Sequence, residues 1–487
     1  MTNKARKITL SKFVQTKVVQ PSHFEATEIT LSTQTKYHVA HVIQNSFEYE
    51  PTYGTQETKS PVQFNLYPLV VDRYGVPWAE ANIYILNRIK NSLNVVMATY
   101  SNIASDLVAF RQFLDDTNVN WVTFDKNKLY RPTYRYRAYI RTMIEAEKIS
   151  FSTARRRMST VIAFYRWLKH EGLIKPEFPM WKESDRFIDF KNDYGSIFTK
   201  KIQLTDVSIK VTKSINPYAE TIIDGGLLRP LPKDEQIQLL KALSALKNTE
   251  MLLIHLLGLA SGSRIQTILT IRLHHVFTNM EGSELKEIRI PAGPGTGIDT
   301  KNDKKIVLHI PLWLYQKLHI YSKSENAKLR RKKSLISDSN DQYLFLSNRG
   351  TPYYQSKADI KHFNENFVLH HAKNGQTVRQ FINDKVIPYI QNQLSNPKFN
   401  YRFHDLRATF GMNLTDEQLE YVAKGQISLH QAREFVKVRM CHESSATTDL
   451  YLQYRQNLKQ IRHVLNSYNE HLCDLVSSLE LEKYKCN

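Results

Sequence analysis

Five side chains from two distant stretches of the chain could together hold a phosphodiester and attack it. His404 and Arg407 form a His-x-x-Arg pair in YRFHDLRATFG, and His442 and Tyr451 follow in RMCHESSATTDLYLQY. Arg264 lies far upstream, in LASGSRIQTIL. Two arginines, two histidines and a tyrosine form a set that can cleave a phosphodiester without a metal ion.

Each residue type suits a separate part of that reaction. Guanidinium groups stay charged and offer paired donors, so two of them can stabilise the charge that develops on the non-bridging oxygens in the transition state. A tyrosine hydroxyl can act as a nucleophile and divide one difficult step into two easier ones. A histidine can accept the proton of that hydroxyl, or hydrogen-bond the phosphate, at neutral pH.

The leaving oxygen needs a proton, and a lysine on a β-hairpin is the candidate for the acid. Residues 287–291 and 305–311 are predicted as strands because they are rich in Ile, Val and Leu, and the Gly/Pro/Asp-rich segment between them is predicted as their turn. Lys301 lies just before the second strand, and Lys304 and Lys305 follow closely. We expect Lys301 to be the acid, with Lys304 and Lys305 as alternatives.

These motifs resemble those of the tyrosine recombinases, the phage-integrase family. The resemblance covers residues 231–454, and a weaker resemblance to the helical core-binding domain of that family covers residues 83–175. Asp405 occupies the usual acidic position of the His-x-x-Arg box. Two positions depart from the family pattern: Thr267 stands where an acidic residue is usual, and Cys441 stands where a glycine usually precedes the second histidine.

The resemblance implies a role for each residue of the set. Tyr451 would form a 3′-phosphotyrosyl link with release of a 5′-hydroxyl, Arg264 and Arg407 would clamp the phosphate, and Lys301 would protonate the leaving oxygen. Of the two histidines, the one in the His-x-x-Arg box would assist proton transfer, and the other would hydrogen-bond the phosphate. Tyr454 remains an alternative nucleophile whose distance from the second histidine fits the family less well.

The resemblance also implies partners. Double-stranded DNA would be the substrate, and strands would be exchanged within a homo-tetramer on paired sites of a mobile genetic element, with room for accessory DNA-bending proteins. No metal, ATP or other cofactor is expected. Two other functions stay open, a type IB topoisomerase that shares the chemistry and a catalytically silent DNA-binding architectural protein.

The composition agrees with a DNA-associated protein. The 487 residues include 67 Lys and Arg against 47 Asp and Glu, a formal net charge of +20, and such a field favours phosphate contacts. A generic basic protein would show the same charge. The three cysteines have no metal-ligand or disulfide spacing, and neither a signal peptide nor a membrane-spanning run is found. We expect a cytoplasmic, nucleoid-associated protein.

The predicted fold is mainly α and multi-domain, with a helical core-binding (SAM-like) domain and an α+β catalytic domain that holds a small antiparallel sheet. The predicted segments are 1–81, of unclear role, 82–175, the core-binding domain, 176–229, a linker with an ordered insertion, 230–456, the catalytic domain, and 457–487, an amphipathic tail helix. The first segment is either an extra DNA-binding module or a part that packs on the next domain.

Two further sets of residues carry predictions. Arginines on two predicted helices suit DNA-backbone contacts, although a solvated charged face is an equal alternative. The second helix has Ser152 as its expected cap. The arginines are Arg135, Arg137, Arg155, Arg156 and Arg157. Apolar residues of the tail share one helical face, which we expect to dock on a neighbouring subunit or on the protein's own domain: Ile461, Val464, Leu465, Tyr468, Leu472, Leu475, Val476 and Leu479.

Overall fold

The computed structural model of the protein divides into two compact units. One comprises Met1–Lys213 with Ile360–His371, and the other comprises Ser214–Asp359 with Ala372–Asn487. The structure describes residues 4–14, 16–18, 24–32, 35–42, 49–51, 63–92, 95–191, 197–210, 221–280, 282–334, 339–361 and 371–485. The finer boundaries predicted from the sequence, after residues 81, 175, 229 and 456, remain predictions.

The first unit combines two-stranded antiparallel sheets with a group of four helices. Its strands are β1 (Arg6–Val14), β2 (Thr16–Val18), β3 (Phe24–Ser32), β4 (Thr35–Val42), β5 (Tyr49–Pro51), β6 (Gln63–Val71), β7 (Glu183–Lys191) and β8 (Ile197–Thr205). Its helices are α1 (Ala79–Lys90), α2 (Met97–Thr117), α3 (Pro132–Glu145) and α4 (Phe151–His170). The strands pair as β1 with β6, β2 with β5, β3 with β4, and β7 with β8.

Aromatic side chains build the core of this unit. Phe110, Tyr136, Phe164 and Tyr165 are fully buried, and they come from α2, α3 and α4. The cap expected at Ser152 is wrong. Ser150 caps α4 instead, because its side chain accepts a hydrogen bond from the Thr153 amide.

The second unit is also mainly helical. Its strands are β9 (Ile222–Ile223), β10 (Leu227–Leu228), β11 (Glu287–Ala292) and β12 (Ile306–Pro311). Its helices are α5 (Lys233–Ala245), α6 (Thr249–Ser261), α7 (Ile265–Leu269), α8 (Leu312–Lys323), α9 (Glu325–Lys332), α11 (Gln376–Phe381), α12 (Ile387–Gln393), α13 (Asp405–Ala423), α14 (Leu429–Met440) and α15 (Ser445–Lys485). Helix α10 (Lys357–Lys361) spans the division between the units, and a π-helical turn (Ile382–Val386) joins α11 to α12.

The core of the second unit positions the candidate residues. Helix α6 is apolar on all sides, and Ile254 and Leu257 on it are buried, as expected of a helix that other elements surround. The predicted hairpin is confirmed, with β11 and β12 antiparallel and Ala292 opposite Ile306 at its closed end. Helices with small antiparallel sheets in both units confirm the predicted fold class.

Helix α15 is one 41-residue helix that carries both Tyr451 and the tail. Four of the predicted apolar residues are exposed on it, Tyr468, Leu472, Leu475 and Val476. The side chains of the other four predicted residues lie outside the described part of the structure. Within the described ranges, no helix has both the length and the apolar character needed to cross a bilayer.

Candidate active site

The ends of helices in the second unit bring the candidate side chains together. Arg264 is the N-cap residue of α7, two residues after the left-handed glycine that ends α6. His404 is the N-cap residue of α13, and Arg407 lies in the first turn of that helix. His442 directly follows the end of α14, and Tyr451 lies in the second turn of α15. Local motifs therefore set the turns, and packing of the helices brings the turns to one place.

A buried carboxylate that the sequence analysis missed lies at the centre of these residues. Oδ2 of Asp224 accepts hydrogen bonds from Arg407 Nε at 2.8 Å, from His442 Nε2 at 3.2 Å and from the Tyr451 hydroxyl at 3.0 Å. Its Oδ1 lies 3.9 Å from Arg264 Nη2. Four of the six predicted catalytic residues thus face one anionic group.

The Asp224 hairpin, formed by β9, β10 and the turn 224–226, places this carboxylate. The Asp224 amide donates to the Gly226 carbonyl at 3.0 Å, and Gly225 has a φ of +67°, which suits glycine. A Cβ atom at Gly225 would lie 3.3 Å from Lys301 Nζ and 3.7 Å from His404 Nε2. The turn therefore also reaches the two predicted catalytic residues that the carboxylate does not contact.

The signal that could have revealed this hairpin is the sequence IIDGGLL. Asp-Gly between apolar pairs is a strong indicator of a tight β-hairpin. This sequence lies within the predicted linker, residues 176–229. A linker gives no reason to expect a functional role for Asp224.

Arg407 is fixed from three sides. Its Nη1 donates to the Gly262 carbonyl at 2.9 Å and its Nη2 donates to the Met440 carbonyl at 2.7 Å, while Nε bonds Asp224. The side chain is buried. Arg407 therefore ties the ends of α6 and α14 to the Asp224 hairpin, and its Nε–H is directed to the shared anion position.

The ring of Tyr451 fits because helix α13 carries a glycine beside it. Tyr451 is fully buried, and a Cβ atom at Gly411 would lie 2.5 Å from its Cε1. This glycine belongs to the HDLRATFG motif. A glycine inside a helix costs about 1 kcal/mol relative to alanine, so a glycine at this position of the motif indicates a packing role.

His442 is held in a defined orientation. Its Nδ1 lies 3.0 Å from the hydroxyl oxygen of Thr448, which is buried. Its ring centroid is 5.7 Å from that of Tyr451. Since Nδ1 has Thr448 as its partner, Nε2 is the nitrogen that faces the anion position.

The structure separates the three hairpin lysines. Lys301 lies in a short turn (Lys301–Asp303) between β11 and β12 and lines the same cavity as Arg264 and Arg407. Among the described residues, no hydrogen bond or ion pair engages its amine. Lys304 lines that cavity too but forms an ion pair with Glu443. Lys305 is exposed, as Lys301 is, but is not among the residues that line the cavity.

The charges of the site have opposite effects on its titratable groups. Burial raises the pKa of Asp224, but the hydrogen bond from His442 and the charge of Arg407 outweigh it and hold that pKa well below the usual range. Burial and the Asp224 charge raise the pKa of Tyr451. Burial and the two nearby guanidinium charges lower the pKa of His404. At neutral pH the site therefore holds an ionised carboxylate, a protonated phenol and a neutral His404.

The arginines predicted to contact DNA all lie in the first unit. Arg135 and Arg137 are on α3, and Arg155, Arg156 and Arg157 are in the first two turns of α4. Arg156 has an internal partner, because its Nη1 lies 2.8 Å from the buried Asp106 carboxylate. Its position is thus fixed by an ion pair, whereas Arg155 is exposed.

Comparison with known proteins gives only a distant likeness. No family model matches the chain, and no curated protein matches it. A solved structure of the Tn1549 transposon integrase with circular intermediate DNA is 14% identical, with 77% of this chain and 98% of that chain covered and a TM-score of 0.43. A lambda integrase dimer bound to a COC′ core site is 14% identical, with coverage of 77% and 94% and a TM-score of 0.41.

Both solved proteins are integrases, the family that the motifs resemble. At these TM-scores the likeness transfers no residue role. Within the described residues, no group of His, Cys, Asp and Glu side chains is arranged to hold a metal ion.

Proposed function

We propose that the protein is a site-specific DNA recombinase that cuts and rejoins double-stranded DNA through a 3′-phosphotyrosyl intermediate, without metal or ATP. One observation carries this proposal: Arg264, Arg407, His442 and Tyr451 converge on a single carboxylate. Groups that surround one anion in this way form an anion site, and the nucleophile candidate is one of them.

The position of the Asp224 Oδ2 atom indicates where a phosphate oxygen would bind. Such an oxygen would accept hydrogen bonds from Arg407 Nε and His442 Nε2, and Arg264 would lie beside it. The Tyr451 hydroxyl, 3.0 Å from that position, would then be near the phosphorus. The 3.0 Å distance runs to the oxygen position, and the attacked phosphorus would be bonded to that oxygen.

The chemical step follows from this placement. The Tyr451 oxygen bonds to phosphorus, the bond from phosphorus to the 5′ oxygen breaks, and Lys301 gives its proton to that oxygen. His404 takes part in removing the phenolic proton, and its lowered pKa suits that role because the imidazole is neutral and able to accept. Attack by a 5′-hydroxyl on the phosphotyrosine reverses the step, so no external energy source is consumed.

Recombination is favoured over the two alternative functions by features outside the site. The exposed apolar residues on the distal part of α15 suit docking on a neighbouring subunit, as a homo-tetramer on paired sites requires. The basic arginines of α3 and α4 would contact the DNA backbone. A type IB topoisomerase needs no second DNA site, and a silent binding protein needs no nucleophile.

The proposal is tested by covalent trapping on a duplex with a nick near the cleavage site, in EDTA, followed by recombination between paired sites. The target can be found by footprinting on DNA that flanks the encoding locus. A covalent complex with no paired-site product would indicate the topoisomerase. Specific binding without any covalent complex would indicate the architectural protein.

Lys301→Ala is expected to lower cleavage of an ordinary phosphodiester by about a hundredfold, the scale of a lost general acid. A substrate with sulfur in place of the 5′ bridging oxygen should restore cleavage, because a thiolate leaves without a proton. The measurement is single-turnover cleavage of both substrates. Lys304→Ala is the matched control and should show no such rescue; rescue of Lys304→Ala alone would transfer the acid role to Lys304.

Cleavage should tolerate mild acidity. An ordinary histidine titrates near pH 6.5, and the pKa of His404 is lowered from that value, so the neutral base persists below about pH 6.5. At subsaturating DNA the rate reports the free protein. The cleavage rate is therefore expected to fall on the acid side only below about pH 6.5. A decline that begins above pH 7, with DNA affinity unchanged, would contradict the role of His404 as a base.

A further inference from the structure

The Asp224 hairpin occupies the place that the proposed reaction assigns to the scissile phosphate. We infer that Asp224 is an internal phosphate mimic, and that its hairpin closes the active site until the phosphate of bound DNA displaces it. This inference rests on the proposed function, because it names how access to that same anion site is regulated.

The donors on Asp224 carry the inference. A carboxylate that merely supported the site from behind would use donors that point away from the substrate. Asp224 instead takes the Nε–H of Arg407, whose Nη1 and Nη2 bond the Gly262 and Met440 carbonyls, and it takes the nucleophile's own hydroxyl. A phosphate and this carboxylate therefore compete for the same hydrogen atoms.

Charge makes the two anions mutually exclusive. Two unit negative charges about 4 Å apart repel strongly at the low effective dielectric of a buried site. Asp224 remains ionised at neutral pH, because its pKa is held well below the usual range despite burial. The carboxylate has to move before a phosphodiester can take its place.

The backbone of the turn adds a steric barrier. Gly225 lies so close to Lys301, Arg264 and His404 that a Cβ atom there would be 3.3, 3.5 and 3.7 Å from their terminal nitrogens. These groups are the proposed acid, one half of the clamp and the proposed base. With the turn in place, its backbone therefore lies against all three groups.

The attachments of the hairpin suggest how it opens. Strands β9 and β10 pair over only two residues each, and a two-stranded hairpin has little stability of its own. On the β10 side, the Arg229 amide donates to Asp405 Oδ1 at 3.1 Å, and Arg402 donates to the Leu227 carbonyl. The buried Ile222 holds the β9 side. The base of the hairpin is thus attached on both sides, and opening would move the turn 224–226 between them.

The competing explanation is that Asp224 positions Tyr451 for attack. The two explanations make opposite predictions. If Asp224 mimics the phosphate, removal of its charge should speed formation of the covalent complex. If Asp224 positions the nucleophile, the same change should slow it.

The first arm of the test measures anion binding by thermal unfolding in inorganic phosphate, with chloride at matched ionic strength as reference. Asp224→Ala should be stabilised saturably, with an apparent affinity about tenfold or more above that of the unchanged protein, as removal of a mostly closed state allows. Asp234→Ala, an exposed site in the first turn of α5, controls for loss of a negative charge. Equal phosphate responses in all three proteins would overturn the inference.

The second arm measures the rate of covalent complex formation on nicked duplex DNA. Asp224→Asn, which keeps the shape of the side chain and guards against misfolding of the alanine variant, should react about tenfold faster. A slower reaction would overturn the inference in favour of positioning. If no protein forms a covalent complex, the proposed function fails, and the phosphate titration still decides whether Asp224 fills an anion site.

Discussion

Tyr451→Phe is expected to bind duplex DNA as the unchanged protein does and to form no detergent-resistant complex with it. The substitution removes only the hydroxyl, which donates to Asp224, and leaves the fully buried ring in its place beside Gly411. Folding and binding should therefore persist while the nucleophile is lost. The measurement is gel electrophoresis in detergent of protein incubated with a labelled, nicked duplex.

Tyr454→Phe is the matched control for this result. Tyr454 lies on the same helix, is partly buried and packs against the same small apolar cluster as Tyr451. It should trap DNA at the normal level. If Tyr451→Phe still forms the complex and Tyr454→Phe does not, the nucleophile is Tyr454.

The second large effect concerns Arg264. Arg264→Ala should lower single-turnover cleavage about 10²- to 10³-fold, the scale of one lost preorganised transition-state donor. DNA binding should fall much less, because many other cations share the phosphate contacts. Arg289→Ala removes a charge from an exposed site on β11 and should cleave normally.

Arg264 is a cleaner test of the phosphate clamp than Arg407. The Arg407 guanidinium also bonds two backbone carbonyls, and removal of one partner from a buried ion pair costs about 3–5 kcal/mol. Loss of cleavage in Arg407→Ala would thus mix chemistry with stability. Near-normal cleavage by Arg264→Ala, in a protein of unchanged melting temperature, would exclude Arg264 from the clamp.

The sequence allowed prediction of those features that depend on short local patterns. His404 and Arg407 are three residues apart at the start of one helix, so their motif marks them as candidate catalytic residues before the fold is known. The β11–β12 hairpin followed from two apolar runs and a turn. The mainly helical fold class followed from the resemblance that these motifs carry.

Features that depend on long-range packing escaped the sequence analysis. Asp224 is remote in sequence from Tyr451, and its IIDGGLL segment indicates a hairpin but no chemistry, so only the folded chain shows that the two side chains meet. Gly411 was inside a recognised motif, but its purpose depends on a ring from another helix. The contact of Arg156 with Asp106 on α2 likewise depends on how two helices pack.

Because α15 is continuous, a movement of its tail is transmitted to the proposed nucleophile. At about 1.5 Å per residue, the helix extends about 50 Å beyond Tyr451. A rotation of about 20° around its axis, at a side-chain radius of about 6 Å, would swing the hydroxyl by about 2 Å. Displacements of about 1 Å can cost a hundredfold in rate. A rotation of this size, imposed on the far end of α15, would therefore move the hydroxyl further than the proposed reaction tolerates.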